Sequence, residues 1–344
     1  MRRALTLAAN GLYSTSPNPR VGCVLAKDGR VVGEGWHERA GGPHAEAAAL
    51  AAARGEAKGA TAYVTLEPCN HHGRTPPCAS ALVEAGVARV VAAMRDPNPE
   101  AAHGAETLRA AGIAFESGLL EDEARELNIG FVSRVTRGRP WVRMKAAATL
   151  DGRTAMADGR SQWITGEEAR LDGHRWRARA CAILTGIGTV RADDPQLTVR
   201  GVDTPRQPLR VVVDSRLETP STARILEGGN VLFFCAVEGS APRGAETVRL
   251  ANPGGKVDLP AMLAELGRRG VNELHVEGGF KLNGSLLREG CVDELLLYLN
   301  PSLLGDSGPG IADLVAPAVL EGRTRLKIRS LDRIGEDIRI VART

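Results

Sequence analysis

The sequence has few aromatic residues and little net charge. Phe, Trp and Tyr make up 3% of its 344 residues, which leaves few side chains on which the bases of a nucleic acid strand could stack. A formal net charge of +3 provides no strong field for a polyanion, although a local basic patch could hold one or two phosphates. These two shortages favour a small anionic substrate over DNA or RNA.

Long apolar runs and a dense set of cysteines are also lacking. No apolar run approaches the roughly 20 residues that span a bilayer. Asn10 and Gly11 interrupt the short apolar stretch at the N-terminus before the core of a signal peptide is complete. Six cysteines are too few for the disulfide scaffold of a secreted protein. The sequence therefore predicts a cytoplasmic protein.

Strands alternate with helices in the first part of the chain, which predicts a layered α/β sheet. Asp28-Gly29 is a hairpin turn signal, and residues 44–54 are rich in alanine without an interior breaker. The predicted elements are a β-hairpin at 21–36, a helix at 44–54, a strand at 61–66, a helix at 79–85, a strand at 88–94 and, after a further helix, a short strand at 112–116.

A second α/β unit follows a basic stretch with glycine and proline at 136–140, which we interpret as a linker. A chain of 344 residues exceeds the usual size of a single core, so we expect two domains, 1–138 and 139–344. Strands of the second domain are predicted at 141–148, 181–186, 209–214, 230–236, 273–279 and 293–300. The polar segment 241–256 is predicted to be an exposed irregular connection.

Histidine and cysteine in the first domain have the pattern of a hydrolytic zinc site. Such a site requires three protein ligands, an open position for water and a carboxylate that does not bind the metal. Zinc deaminases carry H-x-E followed by P-C-x-x-C. His44 and Glu46 supply the first motif, and Cys69 and Cys78 supply the thiolates. We predict that His44, Cys69 and Cys78 bind zinc and that Glu46 transfers protons. The alternative is a closed structural site with His71 or His72 as a fourth ligand.

The two cysteines are separated by eight residues instead of two, and the extra loop carries His71, His72 and Arg74. These groups are suited to bind a polar substrate or its phosphate. The loop EPCNHHGRTPPC, together with TSPNPRVGCV (15–24) and GGPHAE (41–46), resembles the deaminase domain of the bifunctional deaminase/reductase family of riboflavin biosynthesis. This resemblance implies that Asn18, His37, His71 and Arg74 contact the pyrimidinone or its ribose phosphate.

Gly278 and Gly279 lie between a predicted strand and a predicted helix, where backbone N–H groups can approach a phosphate. Tight packing between strand and helix explains the same pair, so the residues alone indicate only a nucleotide or anion pocket. The motifs LDGRTA, SQWIT, TVRADDPQLTVR and VEGG resemble the reductase half of the same family. The resemblance implies a cytidine-deaminase-like α/β/α domain followed by a dihydrofolate-reductase-like α/β domain that uses NADPH.

Carried over by position, the resemblance also implies the residues of the reductase site. The NADPH site would comprise Ala147, Trp163, Thr189, Asp193, Ser215 and the turn formed by Gly279, Phe280, Lys281, Leu282, Asn283, Gly284 and Ser285. The reductase substrate would contact Ser161, Arg177, Leu197, Arg200 and Glu277. Ser215-Arg216, after a strand ending at Asp214, is a candidate reader of the 2′-phosphate of NADPH.

The implied function has two steps. A zinc-dependent hydrolysis removes the 2-amino group of 2,5-diamino-6-(5-phosphoribosylamino)pyrimidin-4(3H)-one, and NADPH then reduces the ribosyl chain to a ribityl chain. We expect a homo-oligomer, a dimer or a tetramer. A nucleic-acid editing deaminase would instead have a short C-x-x-C loop and stacking aromatics. A third hypothesis is a deaminase whose second domain is a degenerate reductase fold kept for oligomerisation.

Overall fold

The computed structural model describes residues 1–71 and 77–344. They form two compact units, Met1–Gly138 and Arg139–Thr344. In the described residues, no helix is long and apolar enough to cross a bilayer.

The first unit is built on a five-stranded sheet in the order β2-β1-β3-β4-β5. Strand β1 is antiparallel to β2 and β3, and β3, β4 and β5 are parallel to one another. Its elements are α1 (Arg2–Ala9), β1 (Gly22–Lys27), β2 (Arg30–Trp36), α2 (Ala45–Ala52), β3 (Thr61–Val64), α3 (Cys78–Glu84), β4 (Arg89–Ala92), α4 (Gly104–Ala110), β5 (Ala114–Ser117), α5 (Glu121–Leu127) and α6 (Ile129–Arg137).

Helices cover both faces of this sheet at very short range. A Cβ atom at Gly22 would lie 2.0 Å from the carbonyl oxygen of Ala4 in α1, and one at Gly33 would lie 2.3 Å from that of Ala49 in α2. Gly22 and Cys23 face opposite sides of the sheet because they are neighbours in a strand. Cys23 pairs with Gly35, and a Cβ atom there would lie 2.5 Å from Cβ of Ala48 in α2. Glycine in the strands and alanine in the helices thus permit a three-layer α/β/α arrangement.

The second unit contains a nine-stranded sheet in the order β10-β9-β8-β7-β11-β6-β12-β14-β13. The seven strands from β10 to β12 are parallel, and β14 and β13 form an antiparallel hairpin at one edge. Its elements are β6 (Trp141–Thr149), α7 (Glu167–Arg179), β7 (Ala182–Gly186), α8 (Ile187–Asp193), β8 (Leu209–Val213), β9 (Val231–Cys235), β10 (Glu246–Arg249), α9 (Leu259–Arg268), β11 (Glu273–Val276), α10 (Phe280–Arg288), β12 (Glu294–Asn300), β13 (Lys327–Ile334) and β14 (Asp337–Arg343).

Three inner strands of this sheet, β7, β9 and β11, are buried along their whole length. Parallel strands are buried on both sides because the crossover helices cover both faces. Met262 of α9 and Leu286 of α10 belong to the core on one side, whereas α7 packs Ala169 and Trp176 on Leu296 and Tyr298 on the other.

Two predictions of local structure are wrong. Segment 241–256 contains the edge strand β10, which pairs in parallel with β9. Its side chains are half-buried or exposed because it has only one neighbouring strand, so its sequence has the polarity of a loop. Residues 279–285 are not a turn, because α10 begins directly after Gly279, whose extended backbone forms the N-cap.

Candidate active sites in the two units

Three donor atoms in the first unit converge on one point. His44 Nδ1 lies 3.2 Å from Cys78 Sγ and 3.5 Å from Cys69 Sγ, and the three donors lie within 4.8 Å of one another. Tetrahedral zinc with ordinary Zn–N and Zn–S bonds holds such atoms about 3.6 Å apart. Two thiols and one imidazole with this spacing fit a zinc ion that keeps one open coordination position.

Local structure explains why these three residues meet. His44 is the N-cap of α2, and Cys78 is the first residue of α3. Cys69 lies in the connection that leaves β3, and its sulfur accepts a hydrogen bond of 3.5 Å from the backbone N–H of Cys78. Just before it, the buried carboxylate of Glu67 accepts a hydrogen bond of 3.0 Å from the backbone N–H of Ala105. The site is therefore held by two helix starts and an anchored loop.

Glu46 lies beside these ligands in the first turn of α2 and is only 3% exposed. Burial raises its pKa to about 7, and the negative charge of Cys69 acts in the same direction. A carboxyl group with this pKa both accepts and donates a proton near neutral pH, which is the requirement for a general acid–base. Both the position and the pKa of Glu46 therefore fit the role of a general acid–base.

The ligands also influence one another in the absence of metal. Hydrogen bonds from the Cys78 thiol and from His44 stabilise the Cys69 thiolate and lower its pKa. The same hydrogen bond with Cys69 raises the pKa of Cys78, and burial adds to this effect. The pKa of His44 is raised because it donates to Cys69. A divalent cation bound by these three donors would take the place of the protons that they hold.

Asn18 and His37 are brought to the edge of the same site. The His37 and His44 rings meet edge to face with centroids 5.5 Å apart. His37 Nδ1 lies 2.9 Å from the carbonyl oxygen of Pro43, so this nitrogen carries the proton, and Nε2 accepts from the Asn18 amide at 3.1 Å. Burial lowers the pKa of His37, which keeps the ring neutral in this role. The Asn18 side chain is therefore oriented by a buried imidazole.

The loop between the cysteines is described only at its ends. His71 is exposed and follows the ligand Cys69 by two residues. Arg74 and His72 lie outside the described residues. The predicted contacts of this loop with a substrate stay predictions.

In the second unit, the carboxyl ends of the parallel strands lie at one edge of the sheet, which is where ligands bind in α/β folds. Helices α8 and α10 begin at this edge, directly after β7 and after Gly278-Gly279. A Cβ atom at Gly279 would lie 3.3 Å from Oγ1 of Thr189, so two residues of the predicted NADPH site adjoin. Two adjacent helix starts with a bare glycine between them form a cradle that fits a phosphate group of the cofactor.

Arg177 and Glu277 form a nearly buried ion pair at the same edge. Arg177 Nη2 lies 2.8 Å from Glu277 Oε2, and Nη1 donates to the carbonyl oxygen of Thr198 at 3.0 Å. Burial alone would raise the pKa of Glu277, but the charge and hydrogen bonds of Arg177, with a smaller contribution from His275, hold it well below its usual value. Glu277 is thus a permanent carboxylate.

Arg200 and two residues that the sequence did not single out complete this cluster. The backbone N–H of Arg200 donates to His174 Nδ1 at 3.2 Å. Burial and the charges of Arg177 and Arg200 lower the pKa of His174 to about 4, so its ring is neutral. Burial also lowers the pKa of Lys145, whose ammonium lies 5.8 Å from the centre of the Tyr298 ring. In the sequence, a lysine within the mostly apolar strand β6 was the available signal.

The remaining predicted residues of the reductase site differ in exposure. Trp163 is 69% exposed and is stacked under Arg170, and Leu197 is buried. Burial raises the pKa of Asp193, the last residue of α8. The Ser215 hydroxyl already accepts from the backbone N–H of Val257. Ala147 and Ser161 are half-buried.

Residues of the predicted 279–285 segment point in several directions because they lie on a helix. Asn283 is buried and donates to the carbonyl oxygen of Ile311, and a Cβ atom at Gly284 would lie 2.2 Å from that of Asp313. These two residues therefore pack against residues 311–313. Phe280 and Lys281 are exposed, Ser285 and Leu282 are half-buried, and their contact with a cofactor stays a prediction.

Two family models match the chain. The cytidine and deoxycytidylate deaminase zinc-binding region matches residues 1–94. The RibD C-terminal domain matches residues 140–340.

Whole proteins of similar sequence and structure are also known. The chain is 46% identical to the riboflavin biosynthesis protein RibD of Escherichia coli over 98% of this chain and 96% of that one. It is 42% identical to the RibD protein of Aquifex aeolicus over 98% and 96%. A structure of Acinetobacter baumannii RibD superposes with a TM-score of 0.93 at 43% identity, covering 99% of this chain and 97% of that one.

A fourth relative is a solved structure from Thermotoga maritima named a diaminohydroxyphosphoribosylaminopyrimidine deaminase/5-amino-6-(5-phosphoribosylamino)uracil reductase. It superposes with a TM-score of 0.91 at 35% identity and covers 100% of this chain and 97% of that one. The predicted fold class, a deaminase-like α/β unit followed by a reductase unit, is confirmed by these matches.

Proposed function

Because this chain belongs to the RibD family of riboflavin biosynthesis proteins, we propose that it deaminates 2,5-diamino-6-(5-phosphoribosylamino)pyrimidin-4(3H)-one and then reduces the ribosyl chain of the product. It is a bifunctional enzyme with a zinc-binding deaminase domain and an NADPH-dependent reductase domain. The predicted enzyme class and cofactors are thereby confirmed. The observation that supports the first reaction best is the set of His44, Cys69 and Cys78 donors with buried Glu46 beside them.

In the deaminase site, His44, Cys69 and Cys78 hold the metal. Zinc in such a site lowers the pKa of a water molecule and so supplies the nucleophile for hydrolysis. Glu46 takes a proton at its carboxylate and returns it to the departing amine, so that ammonia is the leaving group. Its burial excludes bulk water, which would otherwise compete for the proton.

Binding of the pyrimidinone is assigned to Asn18, His37, His71 and Arg74. The His37 ring fixes the Asn18 amide at 3.1 Å, which leaves the other atoms of that amide for the ring edge of the substrate. His71 is exposed next to the metal ligands, as a residue that meets an entering substrate must be. We assign the ribose phosphate to Arg74 on the same loop, because a guanidinium binds phosphate with two parallel hydrogen bonds.

In the reductase site, NADPH supplies the hydride and the protein supplies its position. Thr189, in the first turn of α8, and Gly279, the N-cap of α10, adjoin and would hold the phosphates of the cofactor. Glu277 remains charged and orients Arg177, and Arg200 supplies a second cation for the substrate phosphate. Ala147, Trp163, Asp193 and Ser215 line the cofactor, whereas Ser161 and Leu197 face the substrate.

Two separate assays test this proposal. With the diaminopyrimidinone phosphate and zinc-loaded protein, we expect ammonia release, and in Glu46→Gln we expect its rate to fall roughly 10²- to 10⁴-fold because proton transfer is lost. The zinc content of Glu46→Gln should equal that of the wild type, since Glu46 is not a ligand.

With the deaminated product, both proteins should oxidise NADPH at the same rate. Zinc-loaded wild-type protein that releases no ammonia would overturn the deaminase assignment. Active deamination with no NADPH oxidation would favour the hypothesis of a degenerate second domain.

We also propose that the protein is cytoplasmic and forms a homo-oligomer, a dimer or a tetramer. All six cysteines lie in the described residues and none of them forms a disulfide there, which suits a reducing compartment. The support for an oligomer is that nine of the 17 exposed large hydrophobic side chains of the described residues lie after residue 302.

A further inference from the structure

The imidazole of His275 is buried in the sheet of the second unit and has no role in the two reactions proposed above. It lies in β11 with 0% of its surface exposed. Neither of its ring nitrogens has a hydrogen-bond partner among the described residues. A buried polar group without a partner is destabilising, and an apolar side chain in the same place would avoid that cost. Packing alone therefore does not explain a histidine at this position.

Polar residues flank His275 on one face of the sheet. Side chains alternate along β11 and the residue that follows it, so Glu273, His275 and Glu277 share one face. The two residues between them belong to the hydrophobic core on the other face. Helix α7 covers the polar face, because Arg179 donates to Glu273 at 2.7 Å. Arg177 of the same helix donates to Glu277 at 2.8 Å. His275 therefore lies between two ion pairs.

Of these two carboxylates, Glu277 is the one that His275 approaches. Glu273 Oε2 already accepts from Arg143 at 3.1 Å and from Arg179 at 2.7 Å. His275 Nε2 lies 3.5 Å from Glu277 Oε1. This separation is about 0.5 Å longer than the usual N–H···O hydrogen bond. A small displacement of the Glu277 carboxylate would therefore give the buried ring its missing partner.

The protonation of His275 favours this contact. Burial lowers the pKa of the ring below its ordinary value of 6.5 against the opposing effect of Glu277, and Arg143 and Arg177 lower it further. A neutral imidazole carries its proton on one nitrogen only. A proton on Nε2 points an N–H dipole at the Glu277 carboxylate, whereas the other tautomer would turn a lone pair toward that negative charge. Electrostatics therefore selects Nε2 as the donor.

Glu277 needs a second partner because Arg177 is also assigned to the substrate. Arg177 donates to both carboxylate oxygens, from Nε and from Nη2, and its Nη1 donates to the carbonyl oxygen of Thr198. A guanidinium binds a phosphate through a similar pair of parallel N–H groups. A substrate phosphate thus competes with Glu277 for the donors of Arg177. The carboxylate then loses part of what holds it.

From these observations we propose that His275 is a positioning residue of the reductase site. Its Nε2–H binds Oε1 of Glu277 and holds that carboxylate in place while Arg177 binds the substrate phosphate. His275 acts through Glu277 and touches neither substrate nor cofactor. This inference rests on the proposed reductase function and adds to it a residue that keeps the site in order during turnover.

The same contact affects the pH dependence of the reduction. A hydrogen bond to a carboxylate lowers its pKa, so loss of the His275 donor should raise the pKa of Glu277. Ile183, the neighbour of His275 on β7, is uncharged. The titratable groups that face His275 or Glu277 are Arg143 and Lys145 of β6, His174 and Arg177 of α7, Glu273 of β11, Tyr298 of β12, and Arg200.

Three substitutions separate positioning from packing. His275→Gln puts an amide N–H near the place of Nε2, His275→Asn puts it near Nδ1, and His275→Leu has no polar group. With the deaminated product, NADPH oxidation should stay near the wild-type rate in His275→Gln. It should fall roughly 10- to 100-fold in His275→Asn and His275→Leu, because the carboxylate is displaced. The loss should appear in kcat more than in KM, since Arg177 still holds Glu277 in the free enzyme.

The pH profile distinguishes this role from a structural one. In His275→Asn and His275→Leu, kcat/KM should begin to fall at a higher pH on acidification than in the wild type, and His275→Gln should follow the wild type. A purely structural role predicts the reverse order, with His275→Leu at least as active as His275→Gln, because leucine leaves no polar atom unpaired. Ammonia release should be equal in all four proteins, which checks that the first unit is folded.

Nuclear magnetic resonance of protein with isotope-labelled histidine gives a readout that does not depend on activity. The His275 signals, identified by their absence in His275→Gln, should show a protonated Nε2 and an unprotonated Nδ1. A proton on Nδ1 overturns the proposal, and so does equal reduction by His275→Leu and His275→Gln. If His275→Leu does not fold, the comparison of His275→Gln with His275→Asn decides. If the wild type oxidises no NADPH, the proposed reduction fails, and the tautomer still decides the contact with Glu277.

Discussion

The two candidate active sites are built in different ways. In the first unit, three donors within 4.8 Å and a buried carboxylate are held by the starts of two helices and one loop. In the second unit, the candidate residues are distributed along the carboxyl ends of several parallel strands, and their exposure ranges from buried Leu197 to Trp163 at 69%. A metal requires a few donors at fixed distances, whereas a dinucleotide requires a long surface.

This difference predicts how each site responds to a single substitution. The deaminase site of the first unit should lose its whole function when one metal ligand is removed. The reductase site of the second unit should lose affinity or stability in smaller steps, because each residue contributes a part of the binding surface. The following predictions test this contrast, beginning with the largest effect.

Cys78→Ala should abolish zinc binding and reduce ammonia release below detection, because two remaining ligands do not hold the metal against solvent. NADPH oxidation with the deaminated substrate should be unchanged. Zinc content by plasma mass spectrometry and the two activity assays check this. Cys23→Ala is the control, since Cys23 is a buried thiol in β1 that is not a ligand. A Cys78→Ala protein that retains one zinc per chain would contradict the assignment.

Glu277→Gln should lower the free energy of unfolding of the second unit by about 2–3 kcal/mol at pH 7, because the nearly buried Arg177 loses its charged partner. It should also lower the kcat/KM for reduction. Glu238→Gln is the control, because Glu238 forms an exposed ion pair with Arg249 that contributes about 0–1 kcal/mol.

The same pair predicts a pH dependence. The folded pKa of Glu277 lies well below its ordinary value of 4.5, so the stabilisation is complete above about pH 4.5 and is lost as the pH falls through the folded pKa. The stability difference between wild type and Glu277→Gln should therefore be constant from pH 7 to about 5 and decrease at lower pH. Urea unfolding at each pH measures it, and a difference that grows on acidification would contradict the ion pair.

Arg216→Ala should have the smallest effect, a roughly tenfold fall in the ratio of kcat/KM for NADPH to that for NADH, which corresponds to about 1.4 kcal/mol. Arg216 is exposed after β8, where one guanidinium would read the 2′-phosphate. Arg268→Ala, a change at an exposed residue of α9, is the control. An unchanged ratio would assign cofactor preference to other residues.

Much of the first site could be predicted from the sequence because its chemistry is local. His44 and Glu46 are two residues apart at a helix start. This spacing fixes the position of the Glu46 carboxylate relative to the His44 imidazole once the Ala-rich helix forms. The joint role of Cys69 and Cys78 as metal ligands was expected from residue type. The role of His37 as the group that orients Asn18 was not, because its hydrogen bonds with Pro43 and Asn18 depend on the folded loop.

In the second unit, the sequence predicted six of the nine strands, but neither the edge strand β10, nor the hairpin of β13 and β14, nor the order of the strands. The adjacency of β7, β11 and β6 brings Lys145 and His174 to Glu277, although they lie 132 and 103 residues before it. Edge strand β10 was assigned to a loop, since a half-exposed strand of four residues has no clear apolar alternation. Long-range strand pairing decides these features, and it is not encoded in a local window.

The sequence by itself determined the hydrolytic half of the reaction class, because the zinc motif carries its chemistry in residue type and spacing. The reductase half rested on the resemblance of its motifs to a known family. The tertiary structure decided which charged groups are buried, which protons they hold and which surface is left uncovered. Glu46 has a pKa near 7 and Glu277 a very low one because the first is surrounded by apolar protein and thiolate, whereas the second faces Arg177. Two carboxylates of the same residue type thus differ only through the neighbours that folding gives them.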